Sequence, residues 1–214
     1  MNIKKEKKQP QIKITLGLLG SSAVGKTNIC TRIDEGRYNE YTVTSIGIDH
    51  RRIYREINIE NTNYIVELTI VDTAGQEKYR TISGNAVKTD DIVLIVYDIT
   101  NETTLEDAEF WTQFFKNNAG KENASIYLVG NKSDLSNRKV SYEEGSAKAK
   151  DLEINWGGEC TCKDLNNYSL ENLFQTIIIE KAKEKIKNKD LYSNIGIKLE
   201  DQKKIKNTKK GCCR

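Results

Sequence analysis

Gly20-Ser21-Ser22-Ala23-Val24-Gly25-Lys26-Thr27 puts two glycines, a lysine and a terminal hydroxyl within eight consecutive positions. That combination suits a chain of phosphates. Glycines let backbone N–H groups curl around anionic oxygens at a helix N-terminus, Lys26 neutralises the outer phosphates, and the Thr27 hydroxyl ligates Mg²⁺. The run matches G-x-x-x-x-G-K-[ST] and lies between an apolar stretch at 12–19 and a helical pattern at 27–35, the strand-then-helix context the motif requires. Alone, it does not separate ATPases, kinases and GTPases.

Asn131-Lys132-Ser133-Asp134 follows a second apolar run and adds a reader of the base. The Asp134 carboxylate can accept two hydrogen bonds from the N1–H and exocyclic amine of guanine, whereas adenine presents the opposite pattern and leaves it unpaired. Thr161-Cys162-Lys163 stands where another guanine-contacting loop would be, with a backbone N–H for the base oxygen and the Lys163 stem to pack on the ring. Asp72-Thr73-Ala74-Gly75-Gln76-Glu77 follows a third apolar run. Asp72 is placed to hold Mg²⁺ through water, Gly75 to let backbone approach the γ-phosphate, and Gln76 to orient an attacking water.

These loops need strands and helices to carry them. Segments 12–19, 53–59, 64–71, 92–97 and 125–130, rich in Ile, Val and Leu, read as strands. Segments 27–35, 104–117, 141–150 and 170–187 read as helices, the last with Leu170, Leu173, Phe174, Ile177, Ile178 and Ala182 at helical spacing. The alternation predicts an α/β fold, a mostly parallel sheet with helices on both faces. From about Asn188 the apolar periodicity fails and Lys, Asn and Asp dominate, so 188–214 is expected to be a disordered tail, 12–187 the domain and 1–11 a flexible basic extension.

Composition narrows the classes. A chain of 214 residues suits one well-buried domain, and 37% hydrophobic with 30% charged residues is globular. No run approaches the roughly 18 apolar residues of a membrane-spanning helix. Lys4, Lys5, Lys7 and Lys8 lead into Gln9, Pro10 and Gln11 rather than an apolar core, so no secretory leader is expected and the domain is expected in the cytosol. A net charge of +3 is too small for binding nucleic acid with the whole surface, and no nucleic-acid partner is expected. Cys30, Cys160 and Cys162, with the separate pair Cys212 and Cys213, suit neither a disulfide framework nor a tetrahedral metal site. His50, the single histidine, reads as a strand-end side chain rather than a catalytic group.

Taken together, the motifs resemble the small GTPases of the Ras superfamily, and within it the Rab branch most, over 12–187 and the terminus. Ser45-Ile46-Gly47-Ile48-Asp49, Lys78-Tyr79-Arg80-Thr81-Ile82, Tyr97-Asp98-Ile99-Thr100-Asn101 and the terminal cysteine pair carry the Rab likeness. The resemblance implies a P-loop small GTPase fold with a six-stranded sheet. Ser45, nineteen positions after Lys26, is implied as the switch hydroxyl on Mg²⁺ beside Thr27 and Asp72, and Tyr38, twelve positions after it, as the aromatic beside the base. It also implies a nucleotide set of Ser22, Ala23, Val24, Gly25, Lys26, Thr27, Asn28, Tyr38, Ser45, Gly75, Asn131, Lys132, Asp134, Thr161, Cys162 and Lys163, with Lys26 and Gln76 as the catalytic pair. The family usually has Thr where Ser45 stands, so a methyl that helps fix the loop is missing. His50, Val71 and Ala86-Val87 replace aromatic residues of the Rab pattern, and an altered effector-facing apolar surface is expected.

Lys203, Lys204, Lys206, Lys209, Lys210 and Arg214 surround Gly211-Cys212-Cys213, similar to the doubly geranylgeranylated Rab terminus. Two lipids, or one with basic residues near anionic headgroups, hold a protein stably on a membrane. The resemblance therefore implies the cytoplasmic face of an intracellular or plasma membrane, with cycling to the cytosol. As an unfolded chain the tail would reach about 90 Å. Implied partners are GTP and GDP, an exchange factor, a GTPase-activating protein, effectors, a GDP-dissociation inhibitor and a prenylation escort that Ile197 and Leu199 would contact. The function expected is a switch that hydrolyses GTP and regulates vesicle traffic. The alternatives are a module that holds GTP with little hydrolysis, or another branch of the superfamily. Asn2 argues against an Arf-like chain, the two terminal cysteines against a Ras-like one, and Asp134 against a nucleotide kinase or ATPase.

Overall fold

The computed structural model describes residues 12–39, 48–73, 87–119, 121, 123–166 and 168–208, with side chains to Asn188. Along the chain run β1 (Ile12–Leu19), α1 (Lys26–Glu35), β2 (Ile48–Ile59), β3 (Thr62–Thr73), a 3₁₀ turn (Val87–Thr89), β4 (Ile92–Asp98), α2 (Glu102–Asn118), β5 (Ser125–Asn131), α3 (Tyr142–Asp151), β6 (Asn155–Glu159) and α4 (Ser169–Thr208). The strands form one six-stranded sheet in the order β2-β3-β1-β4-β5-β6. Among the described residues β2 and β3 pair antiparallel and every other neighbouring pair is parallel. Glu60 and Asn61 link β2 to β3 with φ of 50° and 63°, the positive values that a two-residue reversal needs to match the twist of its strands.

Strand alternation divides the core into two layers. Ile92, Leu94 and Val96 of β4 join the cluster containing Ile29 and Ile33 of α1 and Leu170, Phe174, Ile177 and Ile178 of α4. Val93, Ile95 and Tyr97, one residue out of phase, join Ala108, Trp111 and Phe115 of α2 and Ala149 of α3. Local chemistry starts the helices. The Asn101 side chain accepts from Thr103 N at the start of α2, and Ser141 and Glu144 form a reciprocal capping box at the start of α3.

The six-stranded sheet is as expected, and three features of the structure carry no mark in the sequence pattern. The sixth strand, Asn155-Trp156-Gly157-Gly158-Glu159, has no β-branched residue and two glycines, so its sequence carries no strand signal. Pairing with β5 makes it a strand, with Leu128 opposite Trp156 and Gly130 opposite Glu159. The backbone expected to be disordered from 188 continues α4 to Thr208. No proline interrupts this stretch, and its Lys, Gln, Glu and Leu residues favour helix. Twenty helical residues span about 30 Å, less than half of the roughly 68 Å the same residues would reach fully extended. Finally, Val71 and Val87 are buried, so these two substitutions change the core rather than an exposed surface, while His50 is exposed on β2.

At the amino end of β4, Asp91 accepts from Thr15 N at 2.9 Å and from Lys121 Nζ and Lys185 Nζ, each at 2.7 Å. Its neighbour Asp90 is 1% exposed, and neither carboxylate oxygen has a hydrogen-bond partner. Gly17 makes room for it: a Cβ there would stand 2.1 Å from Asp90 Oδ2. Burial pushes the Asp90 carboxyl up to about 7, opposed by Lys121 and reinforced by Asp91.

Candidate nucleotide-binding site

Because β1, β3, β4, β5 and β6 run parallel, the described loops after β1, β4, β5 and β6 open along one carboxyl edge of the sheet, where doubly wound folds bind ligands. The loop after β1 is the 20–27 motif, and the strand-to-helix reversal forces unusual backbone on it: Ala23 has φ 64° and Gly25 φ 100°. Gly25 is also required for space, since a Cβ there would lie 2.3 Å from Asn131 Nδ2. Lys26 is buried, and its Nζ donates to the carbonyls of Gly20 and Ser21, each at 2.8 Å, so the loop curls around its own lysine. Burial lowers the Lys26 ammonium to about 8, against the pull of Asp72 towards the charged form. Thr27 Oγ1 donates to Asp72 Oδ2 at 2.7 Å, joining the first turn of α1 to the end of β3.

The base motif meets this loop directly. Asn131 Nδ2 donates to Val24 O at 2.8 Å. Lys132 takes φ 68°, and its Nζ reaches Asp98 Oδ2 at 2.6 Å. Burial alone would raise the Asp98 carboxyl, but hydrogen bonds from Lys132 and Thr100 outweigh it and hold the group below the usual carboxylate range. Thr161 Oγ1 donates to Asp134 Oδ1 at 2.5 Å and accepts from Lys163 N at 3.1 Å, while Ser133 N donates to Cys160 O at 3.1 Å. The 131–134 and 160–163 segments therefore form one unit. Cys162 is 4% exposed and burial pushes its thiol up to about 12, so it packs rather than reacts. Ser22 and Ala23 are exposed on the loop, Asn28 is half-buried, and Tyr38 is half-buried against the apolar core. Ser45, Gly75, Gln76, Cys212 and Cys213 lie outside the described residues.

A strand-loop-helix phosphate cradle joined to an Asn-Lys-Ser-Asp base reader is thus assembled at one edge, and residues 15–183 match the Ras family. The chain belongs to that family. It is similar to Ras-related protein SEC4 of Saccharomyces cerevisiae, 38% identical over 137 residues, which cover 64% of this chain and 61% of that one. Ras-related protein RIC1 of Oryza sativa subsp. japonica is 35% identical over 161 residues, 75% of this chain and 76% of that one. GTP-binding protein ypt2 of Schizosaccharomyces pombe is 33% identical over 182 residues, 85% of this chain and 87% of that one. Within the family the chain is a Rab-type small GTPase, and it binds guanine nucleotide.

In this Rab-type GTPase several contacts at the site had no place in the sequence reading. Asp98, which fixes Lys132, sits at the carboxyl end of a strand, a position that could have marked it as a site residue. Ser21 Oγ donates to Asp107 Oδ2 at 2.5 Å and accepts from Trp111 Nε1 at 3.4 Å, tying the phosphate loop to α2. Nothing in the sequence links residues so far apart. Thr27 and Asp72, expected to hold Mg²⁺, suit a hard cation: a hydroxyl and a carboxylate, both oxygen donors, in contact after β1 and at the end of β3. Among the described residues no cluster of His, Cys, Asp and Glu competes as a metal site.

Proposed function

We propose that the protein hydrolyses GTP to GDP and phosphate as a timed switch in vesicle-mediated membrane traffic. The Asn131 Nδ2 to Val24 O bond carries the reading. It locks the phosphate loop to the base reader, so one ligand must satisfy both, and a guanine nucleotide does. Backbone N–H groups of 22–27 and Lys26 grip the phosphates and take up negative charge as it develops. Thr27, Asp72 and Ser45 would hold Mg²⁺, which supplies charge neutralisation between the outer phosphates. Asp134 reads the base, Thr161-Cys162-Lys163 close over it, Tyr38 flanks it, and Gln76 orients the attacking water.

With catalysis resting on positioning, unaided turnover is slow, on the order of 10⁻⁴ s⁻¹, and an activating protein sets the lifetime of the GTP form. GTP orders the two switch loops and hydrolysis releases them, so exchange factor and effectors read opposite states. Cys212 and Cys213, lipidated after delivery by an escort, anchor the protein to a membrane from which a GDP-dissociation inhibitor extracts it.

Single-turnover release of labelled phosphate from bound GTP tests the activity, with Gln76→Leu alongside and excess ATP as competitor. Slow release that Gln76→Leu abolishes, and a label that ATP does not displace, is expected. Equal release by both proteins removes Gln76 from its role, no release leaves a GTP-holding module, and displacement by ATP defeats the guanine reading.

A further inference from the structure

Arg32 belongs to none of the motifs, yet it is a buried guanidinium, 5% exposed, in the helix that begins with Lys26 and Thr27. Its Nε donates to Glu171 Oε1 at 2.6 Å in the first turn of α4, and its Nη2 donates to Leu165 O at 3.2 Å. Leu165 follows closely on Thr161-Cys162-Lys163. The side chain therefore bridges the phosphate-gripping helix, the far end of the guanine-closing segment and the helix that follows it. The near end of that segment is tied to β5 by Cys160 N to Gly130 O at 2.8 Å and to the base reader by Thr161 Oγ1 to Asp134 Oδ1.

We propose that Arg32 is a positioning residue for guanine recognition: by holding the Leu165 carbonyl to α1 it fixes where Thr161 stands, and Thr161 in turn aims the Asp134 carboxylate. The inference rests on the guanine-reading role given above to Asp134. Its planar fork reaches a carboxylate and a carbonyl at once, which the single ammonium of a lysine on a freer stem does not. Losing the Leu165 arm lets 161–165 drift from α1. Asp134 then loses its hydroxyl partner and with it the orientation that rewards the exocyclic amine of guanine. Phosphate and metal contacts, held by 20–27 and Asp72, stay in place.

Hypoxanthine differs from guanine only in lacking that amine, so the ratio of IDP to GDP dissociation rates isolates the effect. We compare wild type, Arg32→Lys and Glu171→Gln, each loaded with Mg²⁺ and fluorescent GDP or IDP. Glu171→Gln neutralises the half-exposed partner of the ion pair but leaves an acceptor for Arg32 Nε and the Leu165 bond intact. The expected result is a fall in the ratio of roughly three- to tenfold for Arg32→Lys, the worth of one buried hydrogen bond, and no change for Glu171→Gln. If Arg32→Lys does not fold, Arg32→Gln, which keeps a donor without the charge or the fork, is measured instead with the same expectation. Equal acceleration of both nucleotides, with the ratio unchanged, makes Arg32 a structural brace and overturns the inference alone. A wild type that releases GDP as readily as ADP overturns the guanine reading and the inference with it.

Discussion

Replacing Asp90 by Asn should make the variant gain stability relative to the wild type as pH rises through neutrality. Asp90 is buried against Gly17 with both oxygens unpartnered. Lys121 opposes its protonation, and Asp91, itself held by Lys121, Lys185 and Thr15 N, favours it. The folded carboxyl titrates at about 7 against an ordinary 3.8, so between those values the native state keeps a proton that the unfolded chain releases. Unfolding then releases protons, and raising the pH favours it: the contribution of protonated Asp90 is complete below about 4, declines through the window, and is lost once pH passes about 7. Three units correspond to at most about 4 kcal/mol, and relaxation around the charge reduces this to about 2 to 3 kcal/mol. Asn is isosteric, and its cost of burial is the same at every pH, so the change in the difference between the two proteins is the quantity to read. Urea unfolding in matched nucleotide and Mg²⁺ should show the Asp90→Asn advantage widening by about 2 kcal/mol between about pH 5 and about pH 8, roughly 1 M in midpoint. Parallel stability curves, within about 0.5 kcal/mol across that range, would refute the buried-carboxylate argument.

Two further substitutions probe the nucleotide site. Ala23 holds φ 64° in the phosphate loop, a conformation costing a residue with a Cβ about 1 kcal/mol. Ala23→Gly should therefore slow dissociation of fluorescent GDP by about fivefold, and an unchanged rate would show that the curled loop carries no strain. Asp134→Asn replaces an acceptor that faces two guanine donors with an amide that can donate to a 2-oxo group. In competition binding, GDP should weaken on the order of 100-fold or more while XDP gains, and retention of the GDP preference would remove Asp134 as the reader.

What was legible in the sequence is local. Gly20 to Thr27 and Asn131 to Asp134 advertise their chemistry because the ligand-facing groups are contiguous and their spacing is that of a single loop after a strand. The strands at 12–19 and 92–97 were legible because apolar β-branched runs leave few other options, and the second extends one residue further, to Asp98. β6 was not, since Asn-Trp-Gly-Gly-Glu becomes a strand only when Tyr127 and Leu128 are beside it. The helical continuation of α4 beyond 188 was not legible because the apolar periodicity that marks a helix fails there.

By itself, then, the sequence displayed the 20–27 and 131–134 motifs and the strand-and-helix alternation that carries them. Tertiary structure decided which distant side chains brace them: Asn131 on Val24, Asp107 on Ser21, Arg32 on Leu165, and Gly17 yielding its Cβ space to Asp90. Such pairs, 73 to 133 positions apart, leave no local pattern. A hydrogen bond requires about 3 Å and a fixed angle, and only the register of the sheet and the packing of helices on it bring those atoms that close.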